Sequence, residues 1–327
     1  MNPFTYTRVE NASEATRRIA GVSRAEIIAG GTDMIQLLQE RVLAPLELVD
    51  INGALADDIS ESIDGVRIGA LAKLSDVADD PMIRERFAVV AEALSGSASP
   101  QVRNAATIAG NLLQRTRCLY FRDVTTPCNK REPGSGCPAQ DGQNRVNAVL
   151  GGSAHCIAAY PGDLAVALVA LDAEVMVTGP NGERTIRVED LHRLPGETPH
   201  VETVLDRGEV IEAIFIPRAA AARRSHYLKV RDRSSFEWSI ASAAVALAYN
   251  GDQVFEARVV LGGVATKPWR APEVEAMLVG KALNGELVRA AAACASKGAE
   301  PRGMNAYKVP LIERTVERAL LEVGGVA

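Results

Sequence analysis

Four cysteines lie close together in the middle of this 327-residue chain, at Cys118, Cys128, Cys137 and Cys156. The segment between them is rich in Arg, Gly, Pro and Asn and lacks the periodicity of a helix or a strand. Thiolates gathered on irregular backbone are typical ligands of a soft metal ion or an iron–sulfur cluster. Their spacing matches neither a ferredoxin run nor a zinc CxxC pair. From the residues alone, Zn2+, a [4Fe–4S] cluster and two disulfides all remain compatible with the pattern.

Basic residues flank the cysteines, and they would stabilise a negatively charged centre. They are Arg115, Arg117, Lys130, Arg131 and Arg145. The alternative interpretations are solvated loop charges and salt bridges to a partner chain. The fifth cysteine, Cys294, lies in an alanine-rich stretch, where we expect it to be a buried, small apolar residue.

A glycine pair provides a second candidate site. The segment IIAGGTDMIQLL predicts a strand, a turn from Gly30 to Asp33 and a helix. Two glycines permit close approach and positive φ, and the amides at the start of the helix would face a phosphate group. The segment is neither a G-x-G-x-x-G fingerprint nor a P-loop. A plain turn in which Thr32 or Asp33 caps the helix is therefore an equally good interpretation of this segment alone.

Two further segments offer small polar side chains. The sequence RNAATIAGNLL contains Thr107, Gly110 and Asn111, which combine side-chain donors with unobstructed backbone. Asp163, in YPGDLAVAL, is placed either to cap the next helix or to hold a ribose hydroxyl.

Strand-like and helix-like segments surround these candidates. A capped helix is predicted near residues 11–22, and a helix broken at Pro81 continues as a longer one. Pro180, Asn181 and Gly182 separate two β-branched runs and predict a hairpin. The last hundred residues read as strands followed by three helices. We therefore predict an α+β protein.

Composition narrows the class of function. Hydrophobic residues make up 47% and charged residues 24% of the chain, the ordinary balance of a globular protein. The net charge of −5 gives no overall basic field for nucleic acid, and no apolar run approaches the roughly 20 residues that span a bilayer. The N-terminus lacks the basic and apolar regions of a signal peptide.

The order AGGTD, RNAATIAGNL and PGDLAVALVALDAEV resembles the FAD-binding subunit or domain of the xanthine oxidase family of molybdenum hydroxylases, almost end to end. From Tyr227 onward, YLKVRDRSSFEWSIASAAVAL resembles the C-terminal domain of that family. The resemblance implies an FAD-binding domain over residues 1–220, made of two α/β subdomains of the PCMH or vanillyl-alcohol-oxidase type (about 1–55 and 56–220). A C-terminal domain over residues 221–327 would be an antiparallel sheet with helices, like that of CO dehydrogenase flavoproteins.

The resemblance also implies which residues bind FAD. The glycine turn would hold the pyrophosphate, the second motif would reach the flavin, and Asp163 would lie near the ribose or adenine. Lys229 would approach the isoalloxazine and favour the reduced flavin through its charge. No residue of this chain would be catalytic. The implied FAD-binding residues are Glu26, Ile27, Ile28, Ala29, Gly30, Gly31, Thr32, Asp33, Met34, Thr107, Gly110, Asn111, Asp163 and Lys229.

Two branches of the family carry an iron–sulfur insertion in the flavin subunit, the 4-hydroxybenzoyl-CoA reductase type and the bacterial periplasmic aldehyde oxidoreductase type. The segments QRTRCLYFRD, CNKREPGSGC and NAVLGGSAHC resemble the second. This resemblance implies a [4Fe–4S] cluster on Cys118, Cys128, Cys137 and Cys156, in a loop spanning residues 115–160.

The partners implied are a large subunit with the molybdenum cofactor and a small subunit with two [2Fe–2S] clusters. This chain would pass electrons from those clusters to FAD and an external acceptor, in the oxidation of an aldehyde with water to a carboxylic acid. Aromatic aldehydes are the expected substrates. We expect a periplasmic location by co-export with a signal-bearing partner, with a cytoplasmic enzyme as the alternative.

Two other functions remain open at this point. The chain could be the flavin subunit of another molybdenum hydroxylase, acting on xanthine, CO or an aromatic acyl-CoA. It could instead be a zinc-stabilised scaffold without enzymatic activity.

Overall fold

The computed structural model describes residues 2–326, and its first sheet carries the glycine turn. This sheet is parallel, with strand order β1-β3-β2, and helices connect its successive strands. Asn11 caps the first helix by accepting a hydrogen bond from the amide of Glu14, as the sequence predicts. The elements are β1 (Thr5–Arg8), α1 (Ala12–Gly21), β2 (Ala25–Ile28), α2 (Met34–Gln39) and β3 (Glu47–Asp50).

The second sheet has five strands in the order β4-β5-β8-β6-β7, and all its neighbouring strands are antiparallel. The hairpin predicted around Gly182 is confirmed as the pairing of β6 with β7. Since β3 ends at Asp50 and β4 begins at Ile59, the expected subdomain division near residue 55 falls in the connection between the two sheets. The strands are β4 (Ile59–Glu61), β5 (Gly65–Gly69), β6 (Glu174–Gly179), β7 (Gly182–Arg187) and β8 (Val210–Pro217).

Short helices connect and cover this sheet. The long helix predicted after Pro81 is wrong, because the buried Phe87 has non-helical backbone angles and divides it in two. The helices are α3 (Leu74–Asp79), α4 (Pro81–Arg86), α5 (Ala88–Ser95), α6 (Pro100–Arg103), α7 (Ile108–Leu112), α8 (Leu119–Arg122), α9 (Leu164–Ala170) and α10 (Val188–Leu191), with 3-10 turns at Pro138–Gln140 and Ala220–Arg223.

The third sheet is antiparallel, in the order β12-β11-β10-β9. Helix α13 packs against β10 and α11 against β11, while α9 lies against the same two strands from the side of the flavin-binding domain. Because both faces of β10 are covered, this strand is a continuous run of small apolar residues, without polar alternation. The elements are β9 (Ser225–Val230), β10 (Ala241–Asn250), β11 (Gln253–Gly262), β12 (Trp269–Arg270), α11 (Pro272–Leu278), α12 (Gly285–Ala292) and α13 (Lys308–Gly324).

The predicted α+β class, with an antiparallel C-terminal sheet and helices, is confirmed. Across residues 2–326, no helix is both long enough and apolar enough to cross a membrane. Cys294 differs from its prediction: it follows the end of α12 and is only partly buried, because it lies at the edge of the C-terminal core.

The cysteine loop, defined here as residues 115–160, contains only α8 and one 3-10 turn, in agreement with its lack of periodicity. A small core of its own orders it, with Phe121 and Ile157 packed among the cysteines. Leu37 of helix α2 belongs to the same core. The loop is thus attached directly to the subdomain that carries the glycine turn.

Candidate functional site

A cavity of about 370 Å3 lies between the glycine turn and the second motif, residues 103–113. We call it the glycine-turn cavity. It is lined by every residue that the resemblance implies for FAD except Lys229: Glu26, Ile27, Ile28, Ala29, Gly30, Gly31, Thr32, Asp33, Met34, Thr107, Gly110, Asn111 and Asp163. The structure therefore brings together three segments that are far apart in the sequence.

The two glycines of the turn serve different purposes. A Cβ at Gly30 would collide with the backbone carbonyl of Ala105, so glycine is needed where the turn packs against the second motif. Gly31 has φ +71°, in the left-handed region that favours glycine. The glycine pair thus provides both the close approach and the positive φ that the sequence indicated, and the close approach at Gly30 is between two protein segments.

Asp33 faces the cysteine loop. It occupies the N-cap position of α2, but its carboxylate makes no capping hydrogen bond. It accepts hydrogen bonds from the Arg115 amide at 2.8 Å and from Arg122 Nη2 at 2.8 Å, and it pairs with Arg117. Burial opposes ionisation, but the charges of Arg117 and Arg122 and the hydrogen bonds from Arg115 and Arg122 together outweigh it and lower the pKa of Asp33. Asp33 therefore fastens the start of the cysteine loop to the glycine turn.

The polar residues of the second motif divide between structure and cavity. Thr107 caps α7 by accepting a hydrogen bond from the Gly110 amide at 3.3 Å. Asn111 Oδ1 is buried at the cavity and has no hydrogen-bond partner within residues 2–326. A buried acceptor left without a donor is costly, so this oxygen is suited to a donor on a bound ligand.

Asp163 is a buried carboxylate, 4% exposed, at the other side of the cavity. It accepts hydrogen bonds from Lys229 Nζ at 2.7 Å, the Tyr227 hydroxyl at 2.7 Å and the Ser97 hydroxyl at 3.0 Å. The sequence interpretation assigned Asp163 and Lys229 to opposite ends of FAD. The structure brings the two residues into a direct ion pair, a contact that the sequence interpretation did not anticipate.

A loop of the C-terminal domain completes the cavity, and sequence reasoning gave it no role. Phe236, Glu237 and Trp238 line the cavity. The Phe236 amide donates to the Ala98 carbonyl at 3.1 Å, and the Arg117 guanidinium lies 5.1 Å from the Trp238 ring centre. The available signal was an aromatic pair within a charged, polar segment, where no core-facing periodicity requires aromatic residues.

The four clustered cysteines line one small internal space, which we call the cysteine pocket. Cys118, Cys128 and Cys156 are buried and Cys137 is partly buried, and all four are free thiols. Burial raises the pKa of Cys156 to about 12, although the charge of Lys130 opposes this rise. Burial, and then the neighbouring Cys118, also raises the pKa of Cys137. Without a metal, the thiols of Cys137 and Cys156 stay protonated at neutral pH.

The basic residues around the pocket are engaged within the chain. Arg115 and Lys130 both pair with Glu202, and Arg145 pairs with Asp232. Arg131 donates to the Tyr120 and Phe121 carbonyls at 2.9 Å each. The contacts of Arg115, Lys130 and Arg131 tie the loop to itself and to neighbouring segments, whereas Arg145 forms an exposed ion pair and stays a solvated loop charge.

No single-ion site is evident: within the described residues, no group of three or more His, Cys, Asp or Glu side chains could hold a metal ion.

Comparison with known proteins decides the family. Residues 2–219 match the FAD binding domain in molybdopterin dehydrogenase, and residues 225–323 match the CO dehydrogenase flavoprotein C-terminal domain. The chain belongs to the FAD-binding subunits of the molybdopterin dehydrogenases. The resemblance to the flavin subunits of xanthine oxidase family enzymes is thereby confirmed, and the chain is a subunit of an oxidoreductase.

Two relatives of this chain are named as subunits of aldehyde-oxidising enzymes. The aldehyde oxidoreductase FAD-binding subunit PaoB of Escherichia coli K12 is 42% identical over 324 residues, covering 98% of both chains. The glyceraldehyde dehydrogenase medium chain of Sulfolobus acidocaldarius is 26% identical, also over 98% of both chains. The carbon monoxide dehydrogenase medium chain of Hydrogenophaga pseudoflava is 28% identical, covering 97% of this chain and 96% of that one.

Solved structures show the same fold over the full length. Carbon monoxide dehydrogenase from Hydrogenophaga pseudoflava, in a form lacking the Mo-pyranopterin moiety, superposes with a TM-score of 0.76 at 27% identity, covering 98% of this chain and 97% of that one. Reconstituted CO dehydrogenase from Oligotropha carboxidovorans gives 0.77 at 23% identity, covering 100% and 99%.

Proposed function

We propose that this chain is the FAD- and [4Fe–4S]-binding electron-transfer subunit of a molybdenum-dependent aldehyde oxidoreductase. Its task is to receive electrons from [2Fe–2S] clusters of a small subunit and to deliver them, through FAD, to an external acceptor. The observation that carries the proposal is the contact between the two candidate sites, since Asp33 of the glycine turn holds the arginines that begin the cysteine loop.

The glycine-turn cavity fits FAD in its chemistry. One side offers the backbone and small side chains of the glycine turn, and the lining also includes apolar residues such as Leu71 and Leu74. The unpaired Asn111 Oδ1 is an acceptor for a donor on the ligand. Asp163 contributes a buried carboxylate to the lining, and Lys229, which is not itself part of the lining, pairs with it. FAD supplies the redox chemistry, and the chain binds, orients and shields it.

The cysteine pocket supports an iron–sulfur cluster by its number of thiols and its enclosure. Four cysteines are the usual ligand set of [4Fe–4S], and each thiolate binds a different iron, so the sulfurs need not converge on one point. Tetrahedral Zn2+ requires four sulfurs about 2.3 Å from one centre. The four free thiols also weigh against two disulfides.

The aldehyde substrate is proposed from the relatives. PaoB, an aldehyde oxidoreductase subunit by name, is 42% identical, while the CO dehydrogenase medium chain is 28% identical. We expect aromatic aldehydes to be oxidised, with water, to carboxylic acids on a large molybdenum subunit. Export of the folded complex to the periplasm, directed by a signal on a partner, is part of the same proposal.

The test is the visible spectrum of the anaerobically purified chain before and after dithionite, with iron, zinc and flavin analysis. We expect bleachable flavin bands above a broad brown absorbance, with about four irons per chain. Cys128→Ser should lose the iron and keep the flavin. The matched control is Cys294→Ser, outside the cysteine loop, which should keep both.

Two outcomes would contradict the proposal. Flavin without iron would contradict the cluster and leave zinc or disulfides as the role of the cysteines. A colourless, zinc-loaded chain would favour the scaffold function. Substrate class is tested on the complex purified with its partner subunits, by comparing reduction of an artificial acceptor with benzaldehyde, xanthine and CO. Turnover with xanthine or CO but not with benzaldehyde would refute the aldehyde assignment. Recovery of the complex only in the cytoplasmic fraction would refute export.

A further inference from the structure

One side chain in the cysteine loop contacts a cysteine sulfur directly. Asn147 Nδ2 lies 3.4 Å from Cys118 Sγ, and the asparagine is 2% exposed. Backbone amides also contact the sulfurs: the Ala158 amide lies 3.4 Å from Cys156 Sγ, and the Ile157 and Ala139 amides face Cys137. A backbone amide is available from any residue, but an asparagine amide depends on the side chain. Asn147 therefore contributes a specific donor to the pocket.

The amide orientation follows from its surroundings. Asn147 Oδ1 is buried without a hydrogen-bond partner among the described residues. A cysteine bound to iron is a thiolate, which accepts hydrogen bonds and cannot donate one. Only the orientation with the N–H toward Cys118 then gives the buried amide a partner. An apolar side chain of similar shape would fill the same space without an unpaired oxygen, so the amide has a purpose beyond packing.

The C-terminal domain holds this segment in place. Asn305 is fully buried, and its Nδ2 donates to the Ala148 carbonyl at 3.1 Å. Lys308, at the start of α13, is also fully buried and donates from Nζ to the Val146 carbonyl at 3.1 Å and the Gly263 carbonyl at 2.7 Å. The carbonyls on both sides of Asn147 are thus fixed by side chains from the other domain.

Resting on the proposed [4Fe–4S] function, we propose that Asn147 is a positioning and tuning residue of the cluster. Its amide donates to the Cys118 thiolate, and Asn305 and Lys308 hold it there. The C-terminal domain thereby sets the reduction potential of a cluster whose ligands all belong to the flavin-binding domain. Hydrogen bonds to cluster sulfurs are an established determinant of potential, because the reduced cluster carries one more negative charge on its sulfurs and iron.

The test is a redox titration of the full chain, monitored by electron paramagnetic resonance. Asn147→Leu removes the N–H and keeps the shape, so the midpoint potential should become more negative. We expect the ratio of reduced to oxidised cluster at a fixed potential to fall about tenfold, which is 59 mV for one electron. Lys308→Met should shift the potential in the same direction by a smaller factor.

The matched control is Asn144→Leu. Asn144 is as buried as Asn147 and lies in the same segment, but its amide donates to the Ala139 carbonyl at 3.0 Å, not to sulfur. The midpoint potential of the cluster in Asn144→Leu should match that of the wild type. An unchanged potential in Asn147→Leu, or an equal shift in both leucine variants, would overturn the inference.

If Asn147→Leu does not fold, Asn147→Ala provides the same measurement without added bulk at the site. A wild-type chain that takes up no iron would refute the proposed function, and with it this inference. If the wild-type chain carries its cluster and substitution of Asn147 leaves the midpoint potential unchanged, only this inference is refuted.

Discussion

Replacing Asp33 by asparagine would remove the negative charge that joins the glycine turn to the cysteine loop. The side chains of Arg117 and Arg122 are only 19% and 12% exposed, so water cannot fully replace the lost carboxylate. Breaking a buried ion pair by removing one partner costs about 3–5 kcal/mol. The asparagine oxygen can still accept from the Arg115 amide, and Arg122 keeps Glu40 at 3.3 Å. We therefore expect a loss at the low end of that range, about 3 kcal/mol.

The stability lost in Asp33→Asn should depend on pH. Although burial opposes it, the charges of the two arginines lower the pKa of Asp33 in the folded protein. A carboxyl whose pKa is lower in the folded state stabilises the protein above its unfolded pKa of about 4, and this stabilisation is lost as the pH falls through the folded pKa. The difference in free energy of unfolding between wild type and Asp33→Asn should therefore be constant near pH 7 and shrink below about pH 4.

Urea unfolding, with and without FAD, measures the effect. Glu40→Gln is the control, because Glu40 is 41% exposed and provides only a peripheral partner of Arg122. It should cost less than about 1 kcal/mol. FAD affinity, followed by quenching of flavin fluorescence, should fall in Asp33→Asn and not in Glu40→Gln. Equal stability of the two variants at pH 7 would refute the assignment of Asp33 as the joining charge.

Three further predictions concern the cavity and the C-terminal domain. Gly30→Ala should lower flavin retention at least tenfold, since its Cβ collides with backbone of the second motif, whereas Gly285→Ala, with open space around it, should not; equal flavin content would contradict this. Asp163→Asn leaves the buried Lys229 ammonium without its carboxylate and should cost about 3–5 kcal/mol in urea unfolding, and a loss below 1 kcal/mol would be inconsistent with the pair. Burial lowers the pKa of Lys308 to about 7, below its unfolded value of about 10.5, so wild-type stability should rise relative to Lys308→Met between pH 7 and 10, by up to about 1.4 kcal/mol per pH unit. Parallel stability curves would contradict that pKa.

Local patterns made much of the fold predictable. The capped α1, the β6–β7 hairpin and the apolar α9 each follow from propensity, turn chemistry or periodicity within a dozen residues. The division at Phe87 did not follow, because the burial of a single aromatic side chain decides it.

The candidate site was predictable in its members more than in its contacts. The three cavity segments could be identified from the sequence, because small polar residues between apolar runs form a local pattern. The carboxylate partners of Arg115 and Lys229 could not be predicted, because both ion pairs join residues more than sixty positions apart. Contacts at that separation depend on the packing of the subdomains, and a single sequence carries no local signal for them.

The late position of α13 has a consequence for biosynthesis. Cys156 is the last of the clustered cysteines to be synthesised, whereas Asn305 and Lys308, which fasten the neighbouring segment, come near the end of the chain. At the usual rate of translation, the interval between them lasts roughly 10 to 30 s. All four clustered cysteines are therefore synthesised before the C-terminal residues that hold the segment next to them. Under the proposed [4Fe–4S] function, stable iron loading of this subunit should therefore follow translation, after the final helix has been made.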